Sequence, residues 1–348
     1  MSTDTAARYA AYAERIAPES PSYAAWARSV DDGLLALLAQ VPEQQRQPEL
    51  LFAVARRLGA DPSDPGALRT VGREAGPTLV AALTTATVQA NDPRRLAPVV
   101  PLFAALAARV SRPLGLVDAG GAAGLCSIPD RVTLDYRIVD GVRTADGVSE
   151  TTRPETVLRM HTAVAEPAVG LVADVGGRVP PPASAPIRIG SRVLLDPNPI
   201  DLAAPEAFDR LVEAVPPEAT DRTALMREAA RAALAEPPDR IRGTLPGDLD
   251  RALDALPDGC EPVVLTTGTL VYVPGADRQR FVDRIRERSV HWIALERTGI
   301  LSGVAATLPD GVDPSDPDAF ATASLDGVAM AVSDPFGTRV RWLRDPNL

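Results

Sequence analysis

The sequence predicts an α/β protein: an all-helical module over residues 1–110, then a mostly parallel sheet over 111–348 ending in an antiparallel hairpin. Three observations predict it. Up to Val110, apolar residues recur at three- and four-residue spacing, the pattern of a helix with one buried stripe. From Leu114 onward, short apolar runs alternate with helical stretches, as in parallel sheets with crossovers. The first of these runs, Leu114, Leu116 and Val117, ends in Asp118 and breaks into Gly120, Gly121, Ala122, Ala123 and Gly124. Glycine permits a tight turn and close approach to the backbone, and a helix following it would offer unpaired N–H groups to a nucleotide-like ligand.

In chain order, helices are expected at Thr5–Ile16, Tyr23–Leu38, Pro48–Leu58, Pro77–Gln89 and Leu96–Val110, punctuated by Asp-Pro pairs. After the glycine turn a short helix is expected. A β-rich insertion follows at about residues 131–186, with strands at Val132–Val139 and Val157–Val164 and a Pro-rich segment, Val179–Pro186. A strand then enters Leu194-Leu195-Asp196-Pro197-Asn198. A helix at Glu218–Ala235 precedes a short strand at Arg240–Gly243, and Gly247-Asp248 opens a helix to Leu256. Strands at Pro262–Thr267 and Val290–Glu296 flank a helix at Asp277–Arg288. Gly327–Val332 and Thr338–Leu343 form the closing hairpin around Asp334-Pro335-Phe336-Gly337.

Composition excludes several classes. At 348 residues and 45% hydrophobic, the chain can bury a large core in two domains. It shows no apolar run of transmembrane length and no basic-then-apolar leader, so no membrane role is expected. Cys126 and Cys260 make no metal or redox spacing and fit a reducing cytoplasm. Net charge is −10 and all 36 basic residues are arginine, which argues against nucleic acid as substrate. Without lysine there is no Schiff-base chemistry and no phosphate loop of the NTPase type. His161 and His291 lie too far apart to suggest a metal pair, and no Gly-x-Ser-x-Gly elbow is present.

Spacing narrows the ligand. The dinucleotide pattern G-x-G-x-x-G fails, since its sixth position falls on Leu125 or Cys126. What fits is acid-x-Gly-x-(Gly/Ala)-x-Gly at Asp118, Gly120, Ala122 and Gly124, with Gly121 in the turn. This resembles the first motif of Rossmann-like methyltransferases that use S-adenosylmethionine, as does the sheet with its closing hairpin. In such a sheet Asp196 would accept ribose hydroxyls, Asp248 would meet the adenine, and Thr267 would line the donor site. Each acid also has a plainer reading as a turn or helix-cap residue. Tyr272, His291 and Glu296, near the fourth and fifth core strands, are the candidates to orient or deprotonate an acceptor, while His291, opening a strand beside Trp292, also reads as a structural residue. The Asn-Pro-Pro-Tyr signature of amino-methylating DNA enzymes is absent at Thr266–Thr269. Asn91, with Arg94 or Arg95, is either a cluster that reaches toward the glycine turn to bind a carboxylate or a solvated helix start. Cys126 is either a helix-start nucleophile or a small packing residue.

Over nearly its whole length the chain also resembles an uncharacterised bacterial family, DUF2332, whose core is similar to a divergent methyltransferase. The carriers are Pro42–Phe52, Gln89–Arg95, Val117–Leu125, Arg192–Asp201, Gly247-Asp248, Leu270–Pro274 and His291–Glu296. That family's turn is usually introduced by Glu and reads Gly-Ala-Ser-Ala-Gly-Leu-Asn, where this chain has Asp118, Ala122 and Cys126. Two functions are expected in competition. One is a methyltransferase using S-adenosylmethionine on a small-molecule or protein acceptor, with the helical module as its acceptor-selecting wall. The other is a non-catalytic descendant that keeps the sheet as a binding or interaction module.

Overall fold

The computed structural model describes residues 2–86, 89, 91–139, 156–161, 168–182 and 186–347. Ala90, the stretch between the insertion's first two expected strands, the end of Val157–Val164 and part of the Pro-rich segment lie outside them. The protein is an α/β chain with an N-terminal helical region and a large mixed, mostly parallel sheet. It packs as two compact units, residues 1–90 with 204–225, and residues 91–203 with 226–348. The division differs from the expected break at residue 110. Helix Val100–Arg109 belongs to the second unit, and its first seven residues are all buried. A helix with no polar face there is made to be covered on every side.

In the first unit, the expected helix Tyr23–Leu38 is two helices, Pro21–Arg28 and Asp32–Leu38. Ser20 and Asp31 each cap one of them, accepting the N–H of Tyr23 and of Leu34, which explains the break. Helix Ala67–Glu74 falls outside every helix expected from the spacing. The core is aromatic: Tyr9, Tyr12, Tyr23 and Trp26 all pack around Phe52. Arg56 Nη1 donates to the Tyr23 hydroxyl and to the carbonyls of Glu213 and Val215, fastening segment 204–225 to this unit.

The second unit carries eleven strands: β1 (Leu114–Ala119), β2 (Val132–Ile138), β3 (Thr156–His161), β4 (Val169–Gly177), β5 (Ile189–Asp196), β6 (Asp239–Arg242), β7 (Glu261–Thr267), β8 (His291–Arg297), β9 (Ala321–Leu325), β10 (Val328–Ser333) and β11 (Arg339–Trp342). Their order across the sheet is β3-β2-β4-β11-β10-β9-β8-β7-β1-β5-β6. The block β6-β5-β1-β7-β8 is parallel throughout, and β1 is buried along its whole length, as a central parallel strand must be. From β1 the chain moves outward to β5 and β6, then returns to β7 and β8 on the other flank. The reversal between β1 and β7 is a topological switch point, the place where ligands of such sheets gather.

Two features depart from expectation. The closing hairpin is a three-stranded antiparallel meander, because β9 precedes it and pairs with β8. Asp326 and Gly327 turn it at φ +50° and +83°, so the Asp-Gly pair was a readable hairpin signal. The insertion strands extend the same sheet, through the parallel pairing of β4 with β11.

Candidate functional site

No helix follows the glycine turn. Residues 120–127 are irregular and lead to a single 3-10 turn, Pro129–Arg131, so the expected helix N-terminus for anion binding is not formed. The backbone explains this: Gly120, Ala122 and Gly124 all have positive φ (+79°, +50° and +76°), which interrupts right-handed helix propagation. Residues 121–130 are all buried, and Gly120 alone is partly exposed. Its N–H donates to the Leu195 carbonyl at 2.7 Å, and a Cβ there would lie 2.2 Å from Thr269 Cγ2. Glycine at 120 is thus demanded by the neighbouring strand loop as well as by φ.

Asp118 and Asp196 lie at the ends of β1 and β5, whereas Asp248 lies six residues beyond β6, at the start of helix Leu249–Asp254; each is engaged by loop groups. Asp118 is fully buried; Oδ2 accepts the Ser127 hydroxyl at 2.7 Å while Oδ1 has no partner. Burial pushes this carboxyl up to about 7; the Ser127 bond opposes the rise and the nearby Asp196 charge adds to it. Asp196 at the end of β5 accepts the N–H of Ala122 (3.0 Å) and of Asn198 (2.7 Å), so it ties the glycine turn to β5. Asp248 accepts the Thr244 N–H at 2.8 Å and pairs with Arg251, fixing the loop after β6.

Across the switch point, Thr267 ends β7 buried, and Gly268 follows at φ +69°. Glu296, near the end of β8 and 2% exposed, accepts the N–H of Thr269 at Oε1 (3.0 Å) and of Leu270 at Oε2 (3.1 Å). Burial pushes its carboxyl up to about 7, with those two amides pulling down. Both oxygens are taken up by a loop, so Glu296 positions the segment after β7. The Thr269 hydroxyl donates to the Ala119 carbonyl at 3.0 Å and bridges β1 to β7. Tyr272 is 71% exposed on the 3-10 turn that follows. His291 opens β8 and so stands about 16 Å from Glu296 along the strand, away from this edge. There its Nδ1 meets Asp326 at 2.9 Å, and Asp326 also accepts the Trp292 N–H, so its role is to hold the β9–β10 turn. A small cleft borders Glu296, Thr322 and Ser324.

The segment 91–96 lies over both sides of the switch point. Asn91 Oδ1 accepts the Leu125 N–H at 2.7 Å, and the Cys126 thiol donates to the Asp92 carbonyl at 3.5 Å. Burial pushes that thiol up to about 12, so the fully buried Cys126 packs as a neutral thiol. Arg94 makes a bidentate pair with Asp92 and lies 4.4 Å from the Phe336 ring centroid. Arg95 Nη1 donates to the Thr267 carbonyl at 3.0 Å.

Sequence reasoning passed over one buried network. On β5, Arg192 Nη2 forks onto both oxygens of Asp130, Nη1 pairs with Glu236, and Nε donates to the Ser127 carbonyl. Arg131 joins through Glu236 at 2.7 Å. A lone charge inside an apolar strand was its signal, because arginine is buried only with partners.

The fold and this edge define an α/β protein built on a large mixed, mostly parallel sheet, with a helical N-terminal region. The family profile described as "Uncharacterized protein conserved in bacteria (DUF2332)" matches residues 6–342, and the chain belongs to that family. Comparison with curated proteins and with solved structures gave no match. Among the described residues no helix is long and apolar enough to cross a membrane, and no group of three or more His, Cys, Asp or Glu is arranged to hold a metal ion.

Proposed function

We propose that this edge of the sheet binds S-adenosylmethionine and that the protein is a methyltransferase acting on a small-molecule or protein acceptor. The supporting observation is the switch point itself. Gly120 and Gly268, both at positive φ and partly exposed, flank it on β1 and β7, and the Asp196 carboxylate stands on the adjacent β5. A carboxylate at a switch point suits a nucleoside, whose hydroxyls need an acceptor; Thr269 stands against Gly120 and Arg95 against Gly268, so the ligand would meet those side chains at the edge. The cofactor would supply an electrophilic methyl group on sulfur. The chain's own contribution is alignment: Asp196 holds the ribose end, Thr267 and Gly268 bound the opposite wall, and exposed Tyr272 meets the acceptor. Glu296 keeps the loop bearing Tyr272 in place.

A second reading, a non-catalytic descendant that binds or docks another molecule, draws on a different observation. Asp196 already accepts two loop amides and residues 121–130 are buried, so the edge is satisfied internally. Calorimetric titration with S-adenosylmethionine and S-adenosylhomocysteine separates the two. Micromolar binding that disappears in Asp196→Ala supports the methyltransferase. No heat with either ligand, and no change in melting temperature, overturns it in favour of the second reading.

A further inference from the structure

Segment 91–95 brings four polar side chains to the switch point, and three of them are committed. Asn91 Oδ1 accepts the Leu125 N–H, and Arg94 is forked onto Asp92 and stacked on Phe336. Arg95 differs. Of the five N–H donors of its guanidinium, one bonds to the Thr267 carbonyl, and it forms no ion pair with any described carboxylate. Glu296 is near enough to feel its charge yet commits both oxygens to the amides of Thr269 and Leu270.

The guanidinium is half-buried and lies directly on the backbone of Gly268, where a Cβ would sit 3.1 Å from Nη1. Withdrawing a cation from water without giving it an anion costs free energy. Elsewhere in this unit the buried Arg192 and Arg131 have their carboxylates. A half-buried arginine with four spare donors, at the switch point of a chain of net charge −10, is arranged to receive an anion from outside.

We propose that Arg95 is the anion-recognition residue of this site, receiving the paired oxygens of a ligand carboxylate or phosphate through its planar fork. The geometry suits bidentate oxyanions, which guanidinium matches and a point charge does not. The proposal deepens the methyltransferase reading and rests on it only for the source of the anion, which is either the amino-acid carboxylate of the methyl donor or an acidic group on the acceptor.

Inorganic phosphate is the first probe, titrated calorimetrically at constant ionic strength into the whole chain, Arg95→Gln and, as control, Arg69→Gln on the exposed face of helix Ala67–Glu74. Saturable binding to wild type and to Arg69→Gln, weakened about 10- to 100-fold in Arg95→Gln, is expected from the loss of a charge-assisted pair. No saturable binding to wild type, or equal binding by Arg95→Gln, overturns the proposal. If Arg95→Gln does not fold, phenylglyoxal labelling of wild type gives the same answer: phosphate protects Arg95 from modification, and an unchanged labelling rate overturns the site. The source follows from S-adenosylmethionine and its decarboxylated analogue. A donor carboxylate at Arg95 makes the first ligand sensitive to Arg95→Gln and the second indifferent. Unchanged affinity for both, with phosphate still weakened, assigns the anion to the acceptor. Arg95-dependent phosphate binding without any binding of S-adenosylmethionine leaves the anion site standing and removes the methyltransferase.

Discussion

Asn91 and Leu125 are 34 positions apart in the chain, and the side-chain oxygen of the first accepts the backbone N–H of the second at 2.7 Å. Both are buried, so the bond satisfies a polar group that water cannot reach. Asn91→Ala leaves the Leu125 N–H unsatisfied and should cost about 1–3 kcal/mol in urea unfolding. Because the same segment covers Cys126, thiol labelling of Cys126 under native conditions should quicken in that variant while Cys260 labelling stays at its wild-type rate. Equal Cys126 labelling in both proteins would mean the segment does not cover the turn.

Gly120→Ala sets a Cβ at positive φ and 2.2 Å from Thr269 Cγ2. Strain and overpacking together predict roughly 2–4 kcal/mol of destabilisation. Adding Thr269→Ala removes the two closest atoms and should recover part of that loss, with the φ penalty remaining. Thermal melts of the single and double variants test it, and a double variant no more stable than Gly120→Ala would mean that relief of the contact does not exceed the loss of the Thr269–Ala119 hydrogen bond.

Stability should fall as pH rises from about 5 to 8. The carboxyls of Asp118 and Glu296 are raised by burial to about 7, above their unfolded values. Between the unfolded and folded values the native state holds protons that the unfolded chain has released. The stabilisation they give is therefore present at low pH and lost as pH climbs through 7. Asp118→Asn keeps an acceptor for Ser127 without the charge. It should be the more stable protein at pH 8, by about 2–4 kcal/mol, since a tenfold difference in proton affinity between folded and unfolded chains is worth ~1.4 kcal/mol. The substitution should also flatten the profile, and a profile it leaves unchanged would show that Asp118 is not its source.

Arg192→Leu strands Asp130, which is 9% exposed, beside Ser127. Removing one partner of a buried pair costs about 3–5 kcal/mol, whereas removing both with apolar replacements is often nearly neutral. Arg192→Leu with Asp130→Leu should accordingly be more stable than Arg192→Leu alone, measured by denaturant midpoint.

The local signals for the elements and the positions of the candidate residues were written in the sequence. Helical spacing marked the N-terminal region, apolar runs marked β1, β2, β5, β7 and β8, and terminal acids marked where the parallel strands stop. Such signals are short-range: periodicity of 2 or 3.6, caps, and glycine at turns are imposed by a residue's immediate neighbours. Tertiary structure decided the rest. The pattern at Leu96–Val110 assigned a helix but not its partner, because a helix apolar on all sides is claimed by whichever core surrounds it. The turn after β1 looked like a helix start until Asn91, Asp196 and Thr269 closed on it from three remote places in the chain. His291 and Glu296 share β8, and only the strand's direction separates a residue at the hairpin turn from one at the switch point. Asn91, Arg94 and Arg95 read alike as neighbours in sequence. The fold supplies partners for the first two and leaves most of the third's donors open, because burial removes water as the universal partner and makes each polar atom depend on what folding brings beside it.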